Sequence, residues 1–350
     1  MFFEQQCSSY FIAFAERNSS LHSRNLGRCR LWPTSWFACA LGLLSSGLAP
    51  TAALACACGC GVFDVGALSM LPTRPGWMVF LEDDYQDQNQ NWVGSSAAPA
   101  SANTDKEIET HFFSFGIDYQ FNSDWGVNVR IPYWDRLFRT DIGTPEEPDI
   151  QDYRHSALGD IRITARYTGF SSDLSTGVTL GVKLATGDWT YPNFDRDTSI
   201  GTGTTDLLLG AYHVGTLSNT YQLQWFAEGL YEWATNTREG YRPGDELDVA
   251  AGLDYTGLRF GSTALIPLLQ LIGSYRWRDS GINADPPNSG YHRLLISPGA
   301  QVNTGNWTFY ADAEFRLYHY ANAAPSVEVE GTQGQLVAPV LLKLIVSYSW

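Results

Sequence analysis

The sequence predicts an all-β protein, a transmembrane antiparallel up-and-down β-barrel of about twelve strands with both termini on the periplasmic side. Three observations predict it. Apolar and polar residues alternate with period two from Gly76 to the end, the connectors alternate long and short, and aromatic residues gather at both ends of the apolar face. The composition agrees, with 14% aromatic residues, 33 glycines in 350 residues and only 17% charged. Such a mixture suits pleated, half-buried surface better than amphipathic helix.

The leader comes first. Arg24, Arg28 and Arg30 precede an apolar run, Trp36 to Leu48, followed by Ala53-Leu54-Ala55. A charged n-region, a short h-region and an A-x-A-like end make residues 1–55 a secretory signal peptide. The run is too short to cross a bilayer as a helix. Residues 1–20 are long for an n-region, so the true start could lie downstream of Met1. Residues 1–55 hold four Arg and two Glu, which leaves 18 basic and 35 acidic groups in the remainder, a net of −17. An exported chain this acidic is a poor match for nucleic acid.

All six cysteines end at Cys60, so the body has no disulfide framework. Three of them stand in "ACACGCG", Ala55 to Gly61, within an N-terminal segment at 56–75. Three readings stay open. Cleavage after Ala55 would put Cys56 at the position a lipoprotein acylates, although Ala53 stands where a lipobox usually has Leu. Cys56, Cys58 and Cys60 could hold a soft metal as thiolates, without the spacing of structural zinc or haem attachment. The segment could also carry no site. No other cofactor is expected.

The strands follow from alternation, which gives each face of a strand its own residue set. "WGVNVRIPY" puts Trp125, Val127, Val129, Ile131 and Tyr133 on one face, with Asn128 and Arg130 on the other. "DIRITARY" sets Ile161, Ile163, Ala165 and Tyr167 against Arg162, Thr164 and Arg166. The last segment alternates Leu336, Ala338, Val340, Leu342, Leu344, Val346, Tyr348 and Trp350. The full set is 76–86, 107–121, 125–136, 158–169, 176–187, 205–216, 221–235, 246–257, 262–277, 291–303, 307–320 and 336–350.

Between them, short connectors (Asn122–Asp124, Phe170–Ser175, Leu217–Thr220, Gly257–Gly261, Thr304–Asn306) alternate with long ones at 87–106, 137–157, 188–204, 236–245, 278–290 and 321–335. Short periplasmic turns and long external loops are the habit of outer-membrane barrels. On the apolar face, Tyr119, Trp125, Tyr167, Tyr221, Tyr255, Trp307, Tyr348 and Trp350 lie near the short-turn end. Tyr133, Trp233, Tyr275 and Trp277 lie near the long-loop end. Rings at both interfaces suit the headgroup level of a bilayer. The ending "LIVSYSW" resembles outer-membrane barrels that close on Phe or Trp, which implies recognition by the barrel assembly machinery.

Three further stretches, "ALGDIRITARY" (Ala157–Tyr167), "LATGDW" (Leu184–Trp189) and "GTGTTDLLLGAYH" (Gly201–His213), resemble the family of outer-membrane transporters assigned to the meta-pathway of phenol degradation. Ala185 replaces that family's usual proline. The resemblance covers about the middle fifth of the chain and implies a barrel with a transport role.

Function must come from the inward face. Arg130, Arg162, Arg166 and Lys183 are expected to form a basic wall, and Glu228, Glu232, Asp248 and Asp254 an acidic one. Arg276, Arg293, Arg316 and Lys343 complete the circle, interrupted by Asp312 and Glu314. Two opposed walls would set a transverse field across a pore, or the charges would pair and plug it. Phe226, Leu230, Ile266, Leu268, Ile272 and Leu295 share the inner face, either as a track for hydrophobic compounds or as packing beneath an inward loop. Acidic loops such as "GTPEEPDIQD", "FDRD" and "VEVE" could bridge lipopolysaccharide through divalent cations, or simply be solvated.

An enzyme is not expected. The mature chain has no H-E-x-x-H, G-x-S-x-G or phosphate loop, and His155-Ser156, read as a loop pair, is a poor base and nucleophile. The expected partners are the bilayer, lipopolysaccharide and a small solute. The expectation is therefore a passive channel for small polar or aromatic solutes. A closed barrel with a binding or structural role comes second, and a lipid-modifying enzyme third.

Overall fold

The computed structural model describes residues 74–144, 146–325 and 332–350, together with Leu71. The leader, and Cys56, Cys58 and Cys60, lie outside the described residues.

Twelve antiparallel strands close into a barrel. They are β1 (Gly76–Gln88), β2 (Asp105–Gln120), β3 (Trp125–Asp141), β4 (Ile150–Leu158 and Arg162–Tyr167), β5 (Thr176–Lys183) and β6 (Asp206–Ser218). There follow β7 (Leu223–Ala234), β8 (Glu246–Tyr255), β9 (Thr263–Arg276), β10 (Tyr291–Thr304), β11 (Trp307–Ala321) and β12 (Val340–Ser349). Each pairs with its neighbours in sequence, and β1 closes on β12 with Met78 opposite Ser349. Gly76 and Trp350 meet at the short-turn end, where Trp77 and Trp350 exchange backbone hydrogen bonds of 3.2 and 3.0 Å. A closed barrel leaves no unpaired strand edge, which the bilayer interior would not tolerate.

The outer face carries exposed apolar side chains, among them Leu81, Phe115, Ile163, Leu180, Leu253, Leu271 and Leu344. Its short-turn rim is aromatic. Trp77 stacks on Tyr119 at 4.0 Å, Trp125 meets Tyr167 at 4.9 Å, and Trp307 meets Tyr348 at 4.9 Å. At the other rim, Tyr275 and Trp277 pack at 4.6 Å.

Three departures from the sequence reading matter most for the site. Strand β3 runs on to Asp141 and β4 begins at Ile150, so the expected long loop at 137–157 shrinks to residues 142–149. The alternation persists there with charged residues outside. Arg139 binds Asp152 at 2.7 Å and also Glu107, and Arg154 binds Asp135 at 3.0 Å. The pattern is strand, but its outer face is built for water rather than lipid.

Strand β4 also carries a bulge. Leu158 pairs with Tyr133 and Arg162 with Arg130, so Gly159–Ile161 oppose only Ile131 and Pro132. The extra residue flips the parity, which lets His155 and Arg162 both point inward.

The last segment is not one strand. Leu336 and Ala338, expected on the outer face, are buried inside at 1% and 7% exposure. Gln335–Val337 pairs instead with Gln90–Val93. Pro339 has no N–H for the ladder, and the chain joins the wall only at Val340.

Candidate functional site

Strand parity sends the predicted charges inward, and the interior they enter is unevenly filled. One half is packed. Ile272 and Leu295 cluster with Ala250, Ala338 and Leu341, and Leu268 clusters with Phe80, Tyr310 and Ile345. Phe226 is fully buried. Of the apolar residues expected on the inner face, Ile272 and Leu295 are thus core with Ala338 of the inward-turned 335–338 segment, and Leu268 and Phe226 are buried, whereas Leu230 lines the open space described next.

The same half holds most of the remaining arc of charges. Lys343 binds Glu82 and Asp84 at 3.1 Å each and stands opposite Asp312 in the ladder. Arg316 lies 4.0 Å over the Trp92 ring, and Arg293 lies 5.0 Å over Tyr291. Glu314 is fully buried. Arg276 pairs with Asp279 at 2.9 Å.

The other half, against β3 to β8, is hollow. An upper chamber of about 120 Å³ is lined by Trp134, Arg130, Arg162, Lys183, Glu232 and Asp248, among others. A lower chamber of about 120 Å³ is lined by Asn128, Thr164, Arg166, Leu208, Tyr212 and Glu228. The two share Arg130, Arg162 and Leu230, so they meet at one neck. Below, Leu71 lines both the lower chamber and a third space of about 280 Å³ at the short-turn mouth.

Of the expected acidic wall, Glu232 is brought into contact with the basic residues, and the other basic residues pair with carboxylates outside that wall. Arg162 reaches Glu232 at 2.9 Å, and Lys183 joins both Glu232 and Asp206. Arg130 pairs with Glu82 at 3.1 Å and Arg166 with Asp118 at 2.7 Å. Asp254 is buried away from these chambers, and neither of its carboxylate oxygens has a hydrogen-bond partner among the described residues. Alternation placed these groups on the inner face but could not show the pairs, because neighbours on strands one to three apart are distant in sequence.

Asp160 was not among the expected site residues. The bulge turns its carboxylate inward, where Oδ1 accepts the Gly187 N–H at 2.9 Å. Oδ2 accepts the Thr202 N–H at 2.8 Å and the Thr202 hydroxyl at 2.9 Å. A Cβ on Gly187 would stand 2.8 Å from Gly201 Cα and 2.9 Å from Gly159 C, so neither strand of this knot has room for a side chain. The three stretches singled out by resemblance therefore meet at one point, which clasps both ends of the 184–205 loop.

That loop folds over the upper chamber. Phe194 packs on Phe138 at 5.7 Å, and Arg136 donates to the Thr198 carbonyl. The Arg196 guanidinium lies 4.4 Å over Tyr241 and 5.2 Å over Trp189. Burial pushes the Asp197 carboxyl well above the usual range, reinforced by Asp279 and Asp105 and opposed by Arg276. Burial likewise raises Asp195, with Asp105 and Asp197 adding to it.

His155 lies in β4 rather than in a loop. It bonds Asp188 at 2.8 Å and stacks on Tyr191 at 3.7 Å, while Ser156 donates outside to Asp135 at 2.7 Å. The two side chains leave opposite faces of the strand. Among the described residues, no group of three or more His, Cys, Asp or Glu is arranged to hold a metal ion.

The closed twelve-stranded barrel with an apolar outer face has the architecture of outer-membrane β-barrels. It aligns with the crystal structure of an outer membrane channel from Pseudomonas putida F1 at a TM-score of 0.56 and 12% identity, covering 83% of this chain and 100% of that one. The β domain of the Bordetella autotransporter BrkA aligns at a TM-score of 0.43 and 11% identity, over 79% of this chain and 100% of that one. The CymD monoaromatic hydrocarbon channel aligns at 0.36 and 11% identity, over 82% and 94%. Only the first alignment is close enough to establish a shared fold. No protein-family model matches the sequence, and no curated protein matches it significantly.

Proposed function

We propose that this chain is an outer-membrane channel for passive passage of small solutes, with its long loops outside the cell and both termini in the periplasm. The observation that carries the reading is the pair of chambers meeting at Arg130, Arg162 and Leu230, inside a barrel whose outer face is apolar with aromatic rims. A barrel serving only as a scaffold would have no need of a hollow half lined by charged groups. The Pseudomonas putida protein of the same fold is described as an outer membrane channel, which supports the reading. Such a chain would be exported by its leader, be inserted by the barrel assembly machinery, and meet lipopolysaccharide at its acidic outer rim. A role in passing aromatic compounds rests on the motif resemblance alone.

The test is single-channel conductance of the exported protein, purified from outer membranes, in a planar bilayer under a salt gradient. Steady conductance establishes a pore. Silence from a folded barrel favours the closed-barrel reading. Mass spectrometry of the mature N-terminus decides whether Cys56 is acylated. Metal analysis of the same sample decides whether Cys56, Cys58 and Cys60 hold a soft metal.

A further inference from the structure

The neck between the two chambers is chemically two-sided. Arg130 on β3 and Arg162 on β4 line it from one wall. Leu230 on β7 lines it as well, and its ladder partner is Asp248 on β8. Asp248 lines the upper chamber, is 9% exposed, and its Oδ1 receives no hydrogen bond from any described residue. A carboxylate oxygen buried without a donor is costly, and this one belongs to the wall of a hollow.

The chamber presents groups of both signs, with Arg130 and Arg162 lining it together with Glu232 and Asp248. A neutral, apolar solute would satisfy none of these polar groups, and a solute of one sign would engage only one set of them. A molecule carrying one positive and one negative group offers a donor to Asp248 and an acceptor to the guanidinium wall. The space suits only a small member of that class, since about 120 Å³ corresponds to roughly four waters at about 30 Å³ each, the scale of the smallest amino acids.

We propose that the upper chamber is a binding site for small zwitterions of amino-acid size, with Asp248 taking the ammonium group and Arg130 and Arg162 the carboxylate. This rests on the lumen being open to solutes and adds a substrate class to that reading.

Four isosteric probes test it by titration calorimetry on the exported protein in detergent. They are alanine (zwitterion), lactate (anion), alaninamide (cation) and lactamide (neutral). Alanine is expected to bind about tenfold tighter than lactamide, the value of a charge-assisted hydrogen bond. D248N is expected to bring alanine down to the lactamide level, while D254N, on the same strand but away from the chambers, leaves it unchanged. D248E serves as a second variant should D248N fail to fold, as judged by heat-modifiable mobility, and is expected to retain the preference for alanine.

Equal binding of alanine and lactamide, no binding by any probe, or a full effect from D254N overturns the proposal. Conductance of the same preparation separates the two readings. Conductance without alanine preference removes the site and keeps the channel, whereas alanine binding without conductance does the reverse.

Discussion

Asp160 and Thr202 are joined twice through one carboxylate oxygen, at 2.8 Å from the backbone N–H and 2.9 Å from the hydroxyl. With the Gly187 N–H on the other oxygen, one 6%-exposed side chain ties the β4 bulge to both ends of the 184–205 loop. Hydrogen bonds to a charged acceptor are worth about 1.5–3 kcal/mol each, and losing the acceptor strands the donors. D160A is therefore expected to destabilise docking of this loop by about 3 kcal/mol. Trypsin should cut sooner at Arg196, and single-channel conductance should rise, with the barrel still folded. Unchanged cleavage at Arg196 would show that the aromatic packing of Phe194 holds the loop without the clasp.

The Arg162–Glu232 pair runs along the wall of the upper chamber from β4 to β7, with Arg162 24% and Glu232 19% exposed at the side chain. R162Q leaves Glu232 with Lys183 as its remaining cation, and E232Q leaves Lys183 with Asp206. Breaking a fully buried pair costs about 3–5 kcal/mol, so about 2 kcal/mol is expected for this half-wet one. R162Q should shift reversal potential towards cations and E232Q towards anions. A double mutant whose effect equals the sum of the two singles would show that the pair is not coupled.

Much of this architecture was legible in the chain. Alternation alone placed Arg130, Arg162, Arg166 and Lys183 on the inner face because parity is a local property. It failed where the environment, rather than the backbone, changed. Arg139 and Arg154 stand on strand that leaves the lipid, so the apolar signal vanished while the ladder continued. Leu336 kept an apolar face but turned inward past Pro339. Asp160 was hidden for another reason. Its role depends on a one-residue bulge and on Gly187 and Thr202, which lie 27 and 42 positions away. The Gly-Asp pair and the two glycine-rich turns were the available signal, and only the fold shows that they meet.

Acidification should favour the docked loop. Asp195 and Asp197 are both held above the ordinary carboxylate value of 3.8 when the loop is folded in. A raised acid is protonated more readily in the docked state, so docking is fully stabilised below that ordinary value. The stabilisation is lost as pH rises through the raised one. Lowering pH from neutrality towards 4 should thus lengthen closed dwell times in single-channel records. D197N should weaken the dependence and D195N with D197N should remove it, since a neutral amide mimics the protonated acid at every pH. A pH response of the opposite sign would mean that the loop is held by charge rather than by burial.

Leu336 offers a test of the inward turn of the last segment. At 1% exposure it packs with Ile108 and Phe138, and Phe194 of the clasped loop rests on the same cluster. Truncating a core leucine costs about 2–5 kcal/mol, through lost transfer energy and the cavity left behind. Leu342, on the continuous part of β12, is 42% exposed on the outer face. In detergent L342A should cost about 1 kcal/mol or less, because the micelle covers both side chains alike. L336A should therefore lower the guanidinium midpoint well below that of L342A, and should also speed trypsin cleavage at Arg196 through the shared contact with Phe194. Were 336–350 one uninterrupted strand with Leu336 facing lipid, the two variants would have the same midpoint and neither would touch the loop.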